Sequence, residues 1–157
     1  MEIKRASLVS MWNVFESGEL KAIDNFRFNY AIIKNKRIIE PEIRAIEEIQ
    51  KPTEKFIEFQ NTRIALCEKY AKKDDKGEAI KNGMSYDIEN MDEFNKELEP
   101  IKEQYKDTIA EIDEKIKKVN EFIEEDVTID LYMIKSSYMP DKLSKEIIEV
   151  LYPIIGD

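Results

Sequence analysis

Arg27, Tyr30, Lys34, Lys36 and Arg37 crowd into one short stretch, just after Phe26. Cations contact phosphates and aromatic rings offer stacking faces, so this mixture is what a nucleic acid would use. Charge opposes that use. The chain carries 25 Lys and Arg against 34 Asp and Glu, and its net charge of -9 repels a polyanion. A solvated helix face bearing these cations therefore ranks above a nucleic-acid site.

The other chemistry-bearing residues yield less. Carboxylate pairs such as Glu47 with Glu48 and Asp74 with Asp75 are ordinary solvated surface in so acidic a chain. Asp74, Asp75 and Glu78 look like a calcium loop, but the oxygen-ligand spacing of an EF-hand is missing and Lys76 sits among them. Gly77 and Gly83 belong to no phosphate-binding glycine motif. The chain has no histidine, so the commonest general base is absent. Cys67 is the only cysteine, which leaves no partner for an intrachain disulfide or a zinc knuckle. No catalytic residue, no cofactor and no metal is expected, and the chain reads as a non-enzyme. Side chains left for binding are Trp12 and Phe15, large apolar residues that either pack or anchor a partner, and Asn82, Gly83 and Tyr86 in a contact loop.

The elements that would hold these residues follow from spacing. Two long segments with apolar residues three and four apart, about Asn25–Lys73 and Met91–Glu125, flank one short hairpin-like stretch. In the first, a seam runs Ile39, Ile43, Ile46, Gln50, Thr53, Ile57, Gln60, Ile64, Cys67, Ala71, with Phe26, Tyr30 and Ile33 as a similar stripe upstream. Asp24 or Asn25 caps its start. Pro41 and Pro52 predict a kink or break at each, since proline lacks the amide donor and clashes with the preceding turn. In the return segment the seam is Phe94, Leu98, Ile101, Tyr105, Ile109, Ile112, Ile116, Val119, Ile123, after a cap at Asn90 or Asp92. Its doubled step of four around Tyr105 is a stutter, and Pro100 lies just before it. Asn82-Gly83 predicts a type I′ turn between strands near Glu78–Lys81 and Met84–Ile88.

The ends of the chain read differently. Met1–Arg5 is a short edge strand, Ser7 caps a helix bearing Leu8, Met11, Trp12 and Phe15, and Gly18 closes it. Val127, Ile129, Leu131 and Met133 alternate with Thr128, Asp130, Tyr132 and Ile134, a strand whose natural partner is Glu2–Arg5. Pro140 and Asp141 open a last helix from Lys142 to Leu151. The expected fold is mainly α, a long antiparallel coiled-coil-like helical hairpin with a β-hairpin tip. Its small α+β base is formed by both termini. It is one domain, 1–157, with residues 1–20 and 126–157 as base, 22–125 as hairpin and the tip at 74–90.

Residues 1–73 carry +3 and residues 74–157 carry -12, so one arm is mildly basic and the other acidic. The two arms would attract each other, and the acidic one would suit a basic partner. Gln50, Thr53 and Gln60 interrupt the seam and favour a monomer or weak homodimer over an obligate bundle. Met1–Ala6 contains no apolar run of signal-peptide length, and no stretch approaches about 18 apolar residues, so no leader and no membrane association are expected.

Several segments carry a resemblance: the short Met1–Arg5 lead and capped helix, Leu66–Ala71 with its turn Lys73–Gly77, Phe94–Leu98, and Val127–Leu131. In their order the chain resembles small uncharacterised proteins of tailed bacteriophages and prophages of Gram-positive bacteria, a domain-of-unknown-function family. The resemblance covers most of the chain and brings no catalytic residues. It implies a viral protein acting in the cytoplasm of the bacterial host or in phage assembly. The order helix, β-hairpin, return helix is also similar to β-type prefoldin subunits, from which the strand and helix after Glu125 depart. The expected function is binding of a phage or host protein through the helical hairpin. A phage structural or assembly component, as chaperone, scaffold or virion part, and a nucleic-acid-binding accessory protein are the alternatives.

Overall fold

The computed structural model describes residues 1–156. The chain is mainly helical, with 66% of residues in helices and 12% in strands, so the strands serve as clasps and the helices form the body. It divides into two compact units, Met1–Gln50 together with the chain from Lys117 onward, and Lys51–Ile116.

In the first unit, β1 (Glu2–Lys4) runs directly into α1 (Arg5–Phe15). β1 pairs antiparallel with β4 (Asp126–Thr128), placing Glu2 opposite Thr128, Ile3 opposite Val127 and Lys4 opposite Asp126. The partnership expected between the two ends is present. The Ser7 cap is not: α1 begins at Arg5, whose N–H donates to the carbonyl of Glu125 at 3.1 Å. The residue just before β4 thus takes one of the orphan donors of the helix start, and α1 has no side-chain cap. Gly18 does not close α1 either. The helix ends at Phe15, and Gly18 opens the short α2 (Gly18–Lys21), capped by the Ser17 hydroxyl accepting from Leu20 N–H at 3.3 Å.

α3 (Phe26–Gln50) starts after Asn25, whose Oδ1 accepts from Phe28 N–H at 3.1 Å. It runs unbroken through Pro41, contrary to the expected break. Proline removes the bond to the Arg37 carbonyl, but both residues are solvent-facing, so water can take that acceptor. Ile39, Ile43 and Ile46 stay buried on either side of it. The break expected at Pro52 is present: the helix stops at Gln50 and resumes after Lys51-Pro52-Thr53.

The strand read from Val127 to Met133 is also shorter than its alternation suggests. β1 is only three residues long, so pairing ends one step past Thr128, where Met1 and Ile129 exchange a last pair of backbone hydrogen bonds at 2.8 and 2.9 Å. Beyond it, Tyr132 is held by a side chain: Asn35 Nδ2 donates to its carbonyl at 2.8 Å, and its N–H donates to Asn35 Oδ1 at 2.7 Å. β5 (Ile134–Lys135) then pairs in parallel with β6 (Ile155–Gly156). Between them α7 spans Lys145–Leu151, starting later than Lys142 because Ser144 is the residue before its first turn. Leu8, Met11 and Phe15 of α1 bury against Phe28, Ile32 and Ile39 of α3 and against Ile134, Ile147 and Leu151. Arg5 closes one end of this unit. Its guanidinium donates to Glu42 at 2.7 Å and Glu125 at 2.8 Å and lies 4.0 Å over the Phe122 ring.

In the second unit, α4 (Glu54–Tyr70) starts from a fresh cap, Thr53 Oγ1 accepting from Phe56 N–H at 3.3 Å. That new start rephases the helix. Phe59 and Leu66 are buried, whereas Ile57 and Ile64 of the expected seam are exposed. α5 (Met91–Gln104), capped by Asn90 Oδ1 from Glu93 N–H at 3.2 Å, packs antiparallel to α4. Tyr70 meets Phe94 at 6.1 Å between ring centroids, while Phe59 meets Tyr105 at 5.5 Å. Pro100 sits inside α5 without ending it. The interruption falls at Tyr105, the stutter position, after which α6 runs Lys106–Glu124.

β2 (Lys81–Asn82) and β3 (Ser85–Tyr86) form the expected hairpin, but its turn is not Asn82-Gly83. Asn82 pairs with Ser85, so Gly83-Met84 is the turn. Gly83 has φ +63° and among the described residues no non-glycine residue has positive φ, which fits a type II′ turn with glycine first. The tip is laced to the end of α4 by bridges Ala71 to Ile88 and Lys73 to Ala79.

Candidate functional site: the outer face of α3

The line Ile39–Ile43–Ile46 fixes which side of α3 is buried. Continued toward the N-terminus in steps of four and three, it reaches Asn35, Ile32 and Phe28, all buried. Phe26, Tyr30 and Ile33 are therefore on the opposite side, contrary to the expected seam. They are 82%, 53% and 54% exposed. These three lie at i, i+4 and i+7, a continuous apolar ridge on the solvent side of a helix.

Cations border the ridge. Arg27, Lys34 and Arg37 are exposed, and among the described residues none of them pairs with a carboxylate. Two are aimed by aromatic rings from the far end of the chain. The Lys34 ammonium lies 4.1 Å from the centroid of Tyr132, and the Arg27 guanidinium lies 5.0 Å over Tyr138. Tyr30 meets Tyr132 edge-on at 6.1 Å, and Phe26 stacks on Tyr30 at 6.5 Å. Asn35, on the buried side of the same helix, fixes the Tyr132 backbone beneath this cluster. Neither Asn35 nor Tyr132 stands out in the sequence, because their pairing joins distant segments.

Lys36 departs from the cluster. It pairs with Glu16 and lies 5.0 Å over the Trp12 ring. Glu16 also accepts from Lys21 at 2.9 Å. The bond from Lys21, then the one from Lys36, holds the Glu16 carboxyl down at about 2. Trp12 is half-buried, and Phe15 is buried in the core. Phe15, Leu20, Ile32 and Ile33 line a mostly apolar groove of about 250 Å³, whose polar lining is Glu16, Lys21, Asn29 and Lys36. Ile33 thus belongs both to the ridge and to the groove.

Asn82, Gly83 and Tyr86 lie in the second unit. The Tyr86 hydroxyl donates to Glu68 at 2.9 Å, and Lys81 lies 4.6 Å from the Tyr86 ring centroid. Gly83 and Tyr86, but not Asn82, line an open groove of about 490 Å³ together with Arg63, Ile64, Cys67 and the fully exposed Met84. Cys67 is half-buried there. Among the described residues no cluster of three or more His, Cys, Asp or Glu side chains could hold a metal ion, and no helix is long and apolar enough to cross a membrane. Comparison with family models, with curated proteins and with solved structures finds no match for this chain.

Proposed function

We propose that this chain is a non-enzymatic, phage-encoded interaction protein that binds another protein through the outer face of α3, on the first of its helical arms. The observation that carries the reading is the exposed ridge Phe26, Tyr30, Ile33. Three large apolar side chains in a line, rimmed by charge, are what protein-binding faces expose and what solitary surfaces avoid. The phage origin and action in the host cytoplasm rest on the resemblance of the helix end Leu66–Ala71, its turn and the Phe94–Leu98 start.

The test is a photo-crosslinking residue placed at Ile33 and, as control, at Asp141, in infected Gram-positive cells. A defined protein crosslinked from Ile33 and not from Asp141 supports the reading. Recovery of only free protein or nucleic acid from both positions sinks it. The stacked Phe26 and Tyr30 beside three cations favour single-stranded nucleic acid as a second reading. A salt-sensitive mobility shift, lost in a Lys34→Glu/Arg37→Glu variant, is its signature.

A further inference from the structure

We infer that the occupant of the α3 face is an acidic amphipathic helix of the partner protein, an inference that rests on the protein-binding reading. The ridge residues follow helical spacing over about 10 Å, a little under two turns, and a row of this kind packs into the groove between rows of another helix. The apolar groove beside Ile33 has room for one large aliphatic or aromatic side chain from that helix.

Charge selects its polar borders. Arg27, Lys34 and Arg37 line the ridge, and of the acids nearby Glu40 pairs with Arg44 at 2.6 Å and Glu16 with Lys21 and Lys36. Cation–π contacts orient Arg27 and Lys34 without using up their strongest hydrogen-bonding capacity, which a carboxylate takes best. A second copy of this chain is a poor occupant, because face-to-face pairing would bring two sets of three cations together. A nucleic acid matches the cations but not the aliphatic groove floor of Leu20, Ile32 and Ile33, and it must approach a chain of net charge -9.

The experiment is selection from a displayed library of amphipathic helices of roughly 18 residues. Apolar residues are fixed at i, i+3, i+4 and i+7, and the flanks are randomised among acidic, basic and neutral polar residues. The target is the full chain, with Tyr30→Asp/Arg37→Glu and Ile33→Lys variants alongside, their folding checked by circular dichroism. Expected is enrichment of Asp and Glu flanks, with affinity falling about tenfold or more in either variant and weakening as salt rises. Basic or neutral flanks that still require the ridge overturn the acidic occupant and leave protein binding standing. No enrichment, or enriched helices that bind both variants as well as the parent, overturns the inference outright. A labelled oligodeoxythymidine of roughly 20 nucleotides binding the same face more tightly than any helix overturns it and the protein-binding reading together.

Discussion

Replacing Asn35 by alanine removes both hydrogen bonds that hold the Tyr132 backbone, at 2.8 and 2.7 Å. Asn35 is fully buried, and no other partner is present for the Tyr132 amide or carbonyl. A buried polar group stripped of its partner costs about 1–3 kcal/mol. Tyr132 is half-buried, so water recovers part of this, and about 1.5 kcal/mol for each group gives about 3 kcal/mol in all. For a chain of this size that lowers Tm by roughly 6–12 °C. Trp12, the only tryptophan, lies in the same unit and reports its unfolding in urea. The midpoint should fall at unchanged m.

Asn35→Asp is the sharper probe. It keeps the acceptor for the Tyr132 N–H, loses the donor, and turns a carboxylate toward the Tyr132 carbonyl. It should cost more than alanine at pH 7 and recover in acid as the carboxyl takes up a proton. The same changes should weaken partner binding with the ridge untouched, since Lys34 and Tyr30 lose a fixed ring at Tyr132. An alanine penalty below about 0.5 kcal/mol, or an aspartate variant as stable as the parent, would refute the assignment of Asn35 as a structural clasp.

Pro41→Ala returns an N–H to the Arg37 carbonyl inside a continuous helix and should stabilise the first unit by about 1–3 kcal/mol. A urea midpoint that stays put or drops would mean that α3 depends on its proline. Glu16 has its carboxyl lowered from 4.5 to about 2 by Lys21 and then Lys36, so its contribution is whole above 4.5 and disappears as pH falls toward 2. Glu16→Gln should therefore be less stable than the parent at pH 7, with the gap closing between pH 4.5 and 2. A gap that is constant across that range would show that the carboxylate charge plays no part.

Local chemistry was the legible part of the sequence. Asn25 and Asn90 cap where their side chains and position suggest, because an N-cap is a bond to an amide three residues away. Pairing of the terminal strand with the stretch after Glu125 was legible because few other strands compete for it. The side of α3 that faces the core was harder to read. Phe26, Tyr30 and Ile33 are more apolar than Ala31 and Asn35, yet the latter are buried. The buried line includes a polar residue whose reason lies at Tyr132, far along the chain. Pro41 ended no helix, because the carbonyl it frees is solvent-facing, whereas Pro52 marked a break, where a new cap follows at once. The hairpin turn slid by one residue because Gly83 supplies positive φ alone.

The division of the chain also sets an order in time. Lys51–Ile116 is continuous in sequence, and its helix pair and tip close over short loops. The first unit is interrupted: Met1 N–H donates to the Ile129 carbonyl across 128 positions, and β5 waits for β6, which follows every other element of the unit. Long closures are slow, and synthesis proceeds from the N-terminus. On the ribosome the middle segment can thus mature before the first unit is complete, while α1 and α3, able to pack on each other, wait for Ile134, Ile147 and Leu151 to cover the rest of their core. During that interval the part of the α1–α3 core that Ile134, Ile147 and Leu151 later cover is as available to a chaperone as the ridge is to the mature protein's partner.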